Sequence, residues 1–110
     1  MLKTSKHVRH FMKEKYTGCI HFTDIDEIVY LVNGKFHRIE GPAVISKHVE
    51  QWYRRGRLYR TDGPAVVYKG ECRKKFDDEY WIKDCPLSEE KYKEWRRYAL
   101  LDSFLDEEED

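Results

Sequence analysis

Four side chains in the first part of the chain are of the types that bind zinc: His7, His10, Cys19 and His21. Imidazole nitrogens and thiolates are the usual ligands of a tetrahedral zinc site. The first two histidines lie on a basic amphipathic segment, where such pairs commonly face solvent, and Cys-x-His is not a usual zinc pattern. We therefore expect no metal and no cofactor, and keep these four residues as a weak zinc candidate.

A second pattern places an arginine two residues before a carboxylate, and it occurs twice. The two pairs are Arg38 with Glu40 and Arg60 with Asp62. Such a pair could act as an acid and a base, but no nucleophile recurs beside it. A neighbouring histidine, His37, is replaced by Tyr59 at the second site. We interpret the pairs as contacts that brace a bend, and we predict that the protein is not an enzyme.

Basic residues interleave with tyrosines in "YRRGRLYR" at 53–60, and "CRKK" follows at 72–75. The cations are Arg54, Arg55, Arg57, Arg73, Lys74 and Lys75. Arginines neutralise phosphates and exposed tyrosines stack on bases, so the pattern is compatible with nucleic-acid binding. Alternation along a strand, however, points Tyr53 away from Arg54. We favour a solvated basic rim on a protein-binding sheet and keep a small nucleic-acid-binding protein as the alternative.

Composition limits the class of protein. The chain has 110 residues with 21 basic and 21 acidic side chains, so its formal net charge is zero. A surface tuned as a whole for nucleic acid or acidic membranes is not expected. Three cysteines at unrelated spacings indicate reduced thiols in a cytoplasmic protein. No apolar run approaches the ~20 residues of a membrane span, so we expect no membrane partner.

The elements that would position these residues come from an internal repeat. "GKFHRIEGPAVI" at 34–45 recurs as "GRLYRTDGPAVV" at 56–67, an offset of 22 residues. Each copy contains two β-rich runs separated by a tight turn, then an acidic-Gly-Pro bend and a further strand. A match this dense predicts one supersecondary unit repeated along the chain.

A third, degraded copy follows at "EYWIKDCPLSEEKYKEW". Tyr80-Trp81 takes the place of Trp52-Tyr53, and Lys83-Asp84 stands where Arg55-Gly56 was, after a six-residue insertion around "GECRKKFDD". An incomplete half-unit precedes the first copy at "CIHF". Terminal units that lose the consensus are typical of a capped array.

Units of the form aromatic-x-x-Gly-x-x-His-Arg-x-acidic-Gly-Pro-Ala resemble a divergent MORN-repeat family of bacteriophage and large-virus proteins. The resemblance covers about residues 20–95. The residues that carry it are Gly34, His37, Arg38, Glu40, Gly41 and Pro42, and then Gly56, Tyr59, Arg60, Asp62, Gly63 and Pro64. The resemblance implies a β-hairpin scaffold for protein interaction, and a phage-encoded protein that inhibits or modulates a host protein.

Two helices are predicted beside the repeats. The first, with a stripe of Val8, Phe11, Met12 and Tyr16, is expected to stop at Gly18, and the second begins after the N-cap Ser88. We expect the two helices to pack side by side and to leave an apolar patch exposed. The candidate interface residues are Tyr92, Trp95, Leu101, Phe104 and Leu105.

The expected fold is α+β and mainly β: antiparallel hairpin repeats form a twisted meander sheet, with a short N-terminal helix and a C-terminal helix packed on it. We assign a single domain, with a helix at 1–18, repeats at 19–87, a helix at 88–105 and an acidic tail at 106–110. The expected function is a non-catalytic protein-interaction module acting in the cytoplasm of a host. Self-association through a helix or a sheet edge stays open.

Overall fold

The computed structural model describes residues 6–101, and the side chains of residues 8–99. The helices are α1 (Lys6–Lys13) and α2 (Glu89–Leu101). The first five strands are β1 (Gly18–Phe22), β2 (Glu27–Val32), β3 (Lys35–Phe36), β4 (Val44–Ile45) and β5 (Val49–Gln51). The remaining strands are β6 (Tyr53–Arg54), β7 (Arg57–Leu58), β8 (Val66–Tyr68), β9 (Tyr80–Ile82) and β10 (Cys85–Leu87). A 3-10 helix covers Gly70–Lys74.

The architecture is α+β and mainly β, as the sequence predicts. The main sheet runs β1-β2-β4-β5-β8, with β3 paired to β2. Two small sheets, β6-β7 and β9-β10, are the hairpins of the second and third units. Every strand pairing in these sheets is antiparallel. The first hairpin, β2-β3, thus belongs to the main sheet, whereas the second and third hairpins form small sheets of their own.

Three tight turns show that the degraded third copy keeps the geometry of the other two. In each turn two successive residues have positive φ, which is the pattern of a type I′ hairpin turn. The pairs are Asn33-Gly34 (50° and 76°), Arg55-Gly56 (50° and 81°) and Lys83-Asp84 (48° and 66°). The third turn thus adopts the left-handed conformation without a glycine, which costs about 1–2 kcal/mol per ordinary residue.

Each turn is bonded to the preceding segment of the array. The amide of Gly34 donates to the Tyr16 carbonyl at 2.9 Å, that of Gly56 to Phe36 at 2.8 Å, and that of Asp84 to Leu58 at 2.9 Å. At Gly34 a Cβ atom would lie 2.2 Å from the Met12 carbonyl oxygen, so no other residue fits. The turns consequently stack along one side of the molecule.

The main core is a row of side chains on one face of the sheet. Strand register places Ile20, Val29, Val44, Gln51 and Val66 as successive cross-strand partners, and partners of this kind point to the same face. Val8 of α1 is buried in the same cluster. The N-terminal helix therefore covers the first end of the array.

The two helices pack in different places, so the expectation that they lie side by side is wrong. Tyr92 of α2 forms a second cluster with Tyr59 and Ile82, separate from the one that contains Val8. The physical reason is the order of the units: α1 precedes the first hairpin and α2 follows the third. α2 begins as predicted, because Ser88 Oγ accepts the Lys91 amide at 3.2 Å.

The first helix also ends earlier than predicted. It stops at Lys13, and Lys15 takes a left-handed conformation with φ of 56°. The Tyr16 amide then donates to the Phe11 carbonyl at 3.0 Å, which closes the helix end. Gly18 instead opens β1, with φ of 149°. None of the helices within residues 6–101 is long and apolar enough to cross a membrane.

Candidate functional site

The repeated arginine is held in the same way in both complete units. The Arg38 guanidinium lies 4.0 Å above the Tyr30 ring, and that of Arg60 lies 3.9 Å above the Trp52 ring. Each arginine also donates from Nη1 to the proline carbonyl of its own bend, at 3.2 Å and 3.0 Å respectively. The motif therefore joins an aromatic side chain to the Gly-Pro bend by a cation–π contact and a charge-assisted hydrogen bond.

The glycines of the two bends make room for this arrangement. A Cβ on Gly41 would lie 3.2 Å from the Arg38 guanidinium carbon, and one on Gly63 would lie 2.9 Å from that of Arg60. A larger residue at either position would therefore require the guanidinium to shift. Glycine lets the arginine lie on its ring and reach the bend without that shift.

The arginine–carboxylate contact is present in one unit and absent from the other. Arg60 Nε donates to Asp62 Oδ1 at 2.9 Å, and this hydrogen bond lowers the pKa of the Asp62 carboxyl. In the first unit Arg38 bonds the Pro42 carbonyl, and Glu40 is exposed with no ion pair among the described residues. The expected brace at the bend is therefore made mainly by the proline carbonyl.

His37 and Tyr59 take structural positions at the same place in successive units. His37 Nδ1 accepts the amide of Arg55 at 2.9 Å, which supports the second turn from the first hairpin. Tyr59 is buried among the residues that α2 covers. Apart from the exposed Glu40, the motif residues are thus placed at the bends, turns and aromatic rings of the array.

Tyr92 is not a surface residue, which corrects the expectation that it belongs to an exposed interface. It is 3% exposed, its hydroxyl donates to the Arg60 carbonyl at 2.8 Å, and it accepts the Gly63 amide at 3.0 Å. Trp95 is half-buried, with its ring 5.9 Å from that of Tyr92. The side chain of Leu101, together with Phe104 and Leu105, lies outside the described residues.

The basic residues of 53–60 lie at the stacked turns. Arg55 and Arg57 are exposed, whereas Arg54 is half-buried with its guanidinium 5.3 Å from the Tyr59 ring. Lys35 lies beside the second turn, since its Cβ is 3.5 Å from where a Cβ on Gly56 would be. We call Lys35, Arg55 and Arg57 the basic ridge.

The second basic stretch is closer to acidic groups. Arg73 Nη1 lies 3.7 Å from Asp78 Oδ1 and donates to the Tyr68 carbonyl at 3.2 Å. Lys74 pairs with Glu71 at 3.5 Å, and Lys75 is exposed. These contacts offset much of the local positive charge.

The weak zinc candidate gains no support from the residues whose side chains are described. His10 and Cys19 are exposed, and His21 Nε2 lies 3.3 Å from Asp26 Oδ1. Within the described range, no group of three or more His, Cys, Asp or Glu side chains is placed to hold a metal ion. The side chain of His7 falls outside that range.

A cavity of about 440 Å³ lies between the main sheet and the insertion of the third unit. Its lining consists of His48, Val49, Gln51, Leu58, Val66, Tyr68, Cys72, Phe76, Glu79 and Trp81. Three aromatic rings and three aliphatic side chains dominate it, and its size is that of small-ligand pockets. Phe76 is 53% exposed, which places it at the mouth.

The sheet face of this cavity continues the core row. Gln51 pairs with Val66, and Val66 forms an isolated bridge with Glu79, so the three side chains point the same way. By the repeat alignment, Gln51 and Glu79 occupy the place that Val29 holds in the first unit. The position therefore changes from a fully buried valine to an amide and then to a carboxylate along the array.

Two aromatic side chains fix the carboxylate of Glu79. Tyr68 donates its hydroxyl to Oε2 at 2.6 Å, and Trp81 donates Nε1–H to Oε1 at 2.9 Å. Burial, and then the hydrogen bond with Glu79, raise the pKa of Tyr68 to about 12, so the phenol stays a donor at neutral pH. The cavity thus contains an oriented negative group with aromatic neighbours.

Sequence reasoning did not find this cavity. The available signal was Phe76, a large apolar side chain in an otherwise charged insertion, together with the loss of valine at positions 51 and 79 of the repeat.

No protein-family model, no curated protein and no solved structure matches the chain. The internal geometry of the repeats therefore carries the functional argument.

Proposed function

We propose that the protein is a non-catalytic interaction module that binds a partner protein at the cavity beside Phe76. The observation that carries this proposal is the combination of a ready-formed, aromatic-lined cavity and a phenylalanine that is 53% exposed at its mouth. Buried aromatic anchors with an exposed apolar neighbour are typical of the centres of protein interfaces. The motif residues, in contrast, make contacts within the repeat array.

The resemblance to MORN-like repeats supports the choice of a protein partner, since such repeats are implied to be interaction scaffolds. On the same basis we propose that the chain is phage-encoded and inhibits or modulates a host bacterial protein in the host cytoplasm. This assignment determines the lysate in which the partner is sought. The proposed binding surface, which is the cavity with Phe76 at its mouth, does not depend on the phage assignment.

The test compares tagged wild-type protein with Phe76→Ser and with a matched control, Tyr98→Ser, in a pull-down from bacterial lysate. Tyr98 is also an exposed aromatic residue, at 63%, but it lies on α2. We expect a protein at near-equal stoichiometry with wild type and Tyr98→Ser, and loss of at least ~10-fold with Phe76→Ser, because hot-spot aromatics contribute about 2 kcal/mol or more. Equal retention by the two variants would contradict the proposal.

A second candidate function, nucleic-acid binding, is favoured by the basic ridge. Lys35, Arg55 and Arg57 are all exposed and lie in or directly after the first two turns, which suits contact with a phosphate backbone. The same pull-down distinguishes it when one lane is treated with nuclease. Retention that disappears with nuclease and falls steeply with salt would select the ridge over the cavity.

A further inference from the structure

We infer that the cavity recognises an alkylammonium group, namely a lysine side chain of the partner protein. The inference deepens the proposed function and rests on it, since it specifies the chemistry of the residue that enters the cavity. It comes from two polar side chains on the sheet face of the cavity, Gln51 and Glu79, and from the aromatic rings around them.

Gln51 is a buried polar residue on the sheet face of the cavity. The residue is 7% exposed, and its side-chain amide makes no hydrogen bond to any side chain or backbone group of the described residues. A buried amide without a partner costs about 1–3 kcal/mol. The equivalent position in the first unit is Val29, which is fully buried, so the fold does not require a polar residue there.

Glu79 supplies the carboxylate of the cavity. Both of its oxygens accept hydrogen bonds from neutral donors, and no Lys, Arg or His nitrogen of the described chain lies within ion-pair distance of it. Each carboxylate oxygen accepts two hydrogen bonds, so one lone pair per oxygen is still open. The Glu79 carboxylate therefore has no ion-pair partner among the described residues, although His48 also lines the cavity.

The spacing of the two groups fits one small cation. Gln51 and Glu79 lie on either side of Val66, two strand spacings of about 4.8 Å apart. Both side chains are long, Val66 between them is short, and all three line the same cavity. An ammonium group with three donors can bond both acceptors there.

The walls select an aliphatic cation over a neutral chain or a guanidinium. Tyr68, Phe76 and Trp81 present aromatic surface, which attracts cations, and Leu58 and Val49 suit methylene groups. Arginine prefers a bidentate approach to both carboxylate oxygens. Tyr68 and Trp81 already occupy one lone pair on each oxygen of Glu79, whereas an ammonium needs only one free position.

The test titrates ¹⁵N-labelled protein with three blocked amino acids, the methylamides of N-acetyl-lysine, N-acetyl-norleucine and N-acetyl-arginine, and with free n-butylamine. The reporters are the Trp81 indole N–H and the Gln51 side-chain amide. We expect saturable shifts at both reporters, with lysine binding roughly tenfold more tightly than norleucine or arginine.

In the variant Glu79→Gln the preference for lysine over norleucine and arginine should disappear. The matched control Glu50→Gln should keep it, because Glu50 alternates with Gln51 on β5 and pairs with Lys69 at 3.1 Å.

Each other outcome overturns a distinct part of the inference. Equal binding of lysine and norleucine would overturn cation recognition and leave an apolar interface. Binding of free n-butylamine without binding of blocked lysine would identify a small amine instead of a partner residue. No reporter shift with any probe would overturn the cavity as a lysine site, while the Phe76→Ser pull-down would still report separately on protein binding.

Discussion

At the residue scale, the arginine of the second unit combines three contacts that a lysine cannot reproduce together. Arg60 stacks on Trp52, donates to the Pro64 carbonyl and pairs with Asp62. Only a planar guanidinium can lie flat on a ring while its edge donates in two directions. The sequence showed the arginine and the bend but not the ring, because the aromatic partner Trp52 stands eight residues earlier, between β5 and β6.

Replacing Arg60 with lysine should lower the free energy of unfolding by about 1–2 kcal/mol, through loss of the stack and of one charge-assisted bond. Urea denaturation followed by tryptophan fluorescence measures the change. Arg57→Lys is the control, since Arg57 is exposed and should change stability by less than about 0.5 kcal/mol. Equal effects of the two substitutions would contradict the assigned role of the stack.

At the element scale, three hairpins adopt one turn geometry with different residues. Asn33-Gly34 was predictable, because both residues tolerate positive φ. Lys83-Asp84 was predictable only by alignment with the earlier copies, because neither residue favours this turn strongly. Asp84 compensates with its side chain, since Oδ1 accepts the Leu58 amide at 2.8 Å while its own amide donates to the Leu58 carbonyl.

Substitutions at Asp84 should separate the cost of the backbone from the gain of the side chain. Asp84→Ala loses the bond to Leu58 and keeps the left-handed strain, so we expect a loss of about 1–2 kcal/mol. Asp84→Gly loses the same bond but relieves the strain, so it should be clearly less destabilised. Urea midpoints of the two variants test this order, and an alanine variant as stable as the glycine variant would refute it.

The positions of the helices illustrate why local patterns did not give the whole arrangement. The apolar stripe of α1 and the N-cap of α2 were readable from sequence. That the helices cover different units depends on the order in which hairpins are added to the array. Likewise, Gln51 resembles any polar strand residue until the register places it between Val44 and Val66.

At the scale of the whole molecule, the repeats keep the same residue types where valines pack the core, and they depart from one another around the cavity. The first units bury valines along the core row, whereas the later positions carry an amide and a carboxylate. The insertion before β9 supplies Cys72 and Phe76 to the same cavity. The departures from the repeat therefore converge on one place, which is typical of a site maintained at some cost in stability.

Gln51→Val should accordingly stabilise the protein by about 1 kcal/mol, since it removes an unpartnered amide and makes the core row continuous. The same variant should lose the lysine preference. Gln51→Asn is the control, because it keeps the amide and should give no gain. A clear loss of stability in Gln51→Val would show that the amide supports the fold.

The bonds between units also determine how the chain can fold. Turn amides donate to the preceding unit, and the amides of Arg38 and Arg60 donate to the Tyr53 and Trp81 carbonyls of the following one. Because these bonds join neighbouring units only, loop-closure entropy stays small for a mainly β protein. Each hairpin can thus form against a finished neighbour as the polypeptide leaves the ribosome, so the order of synthesis matches the order of assembly.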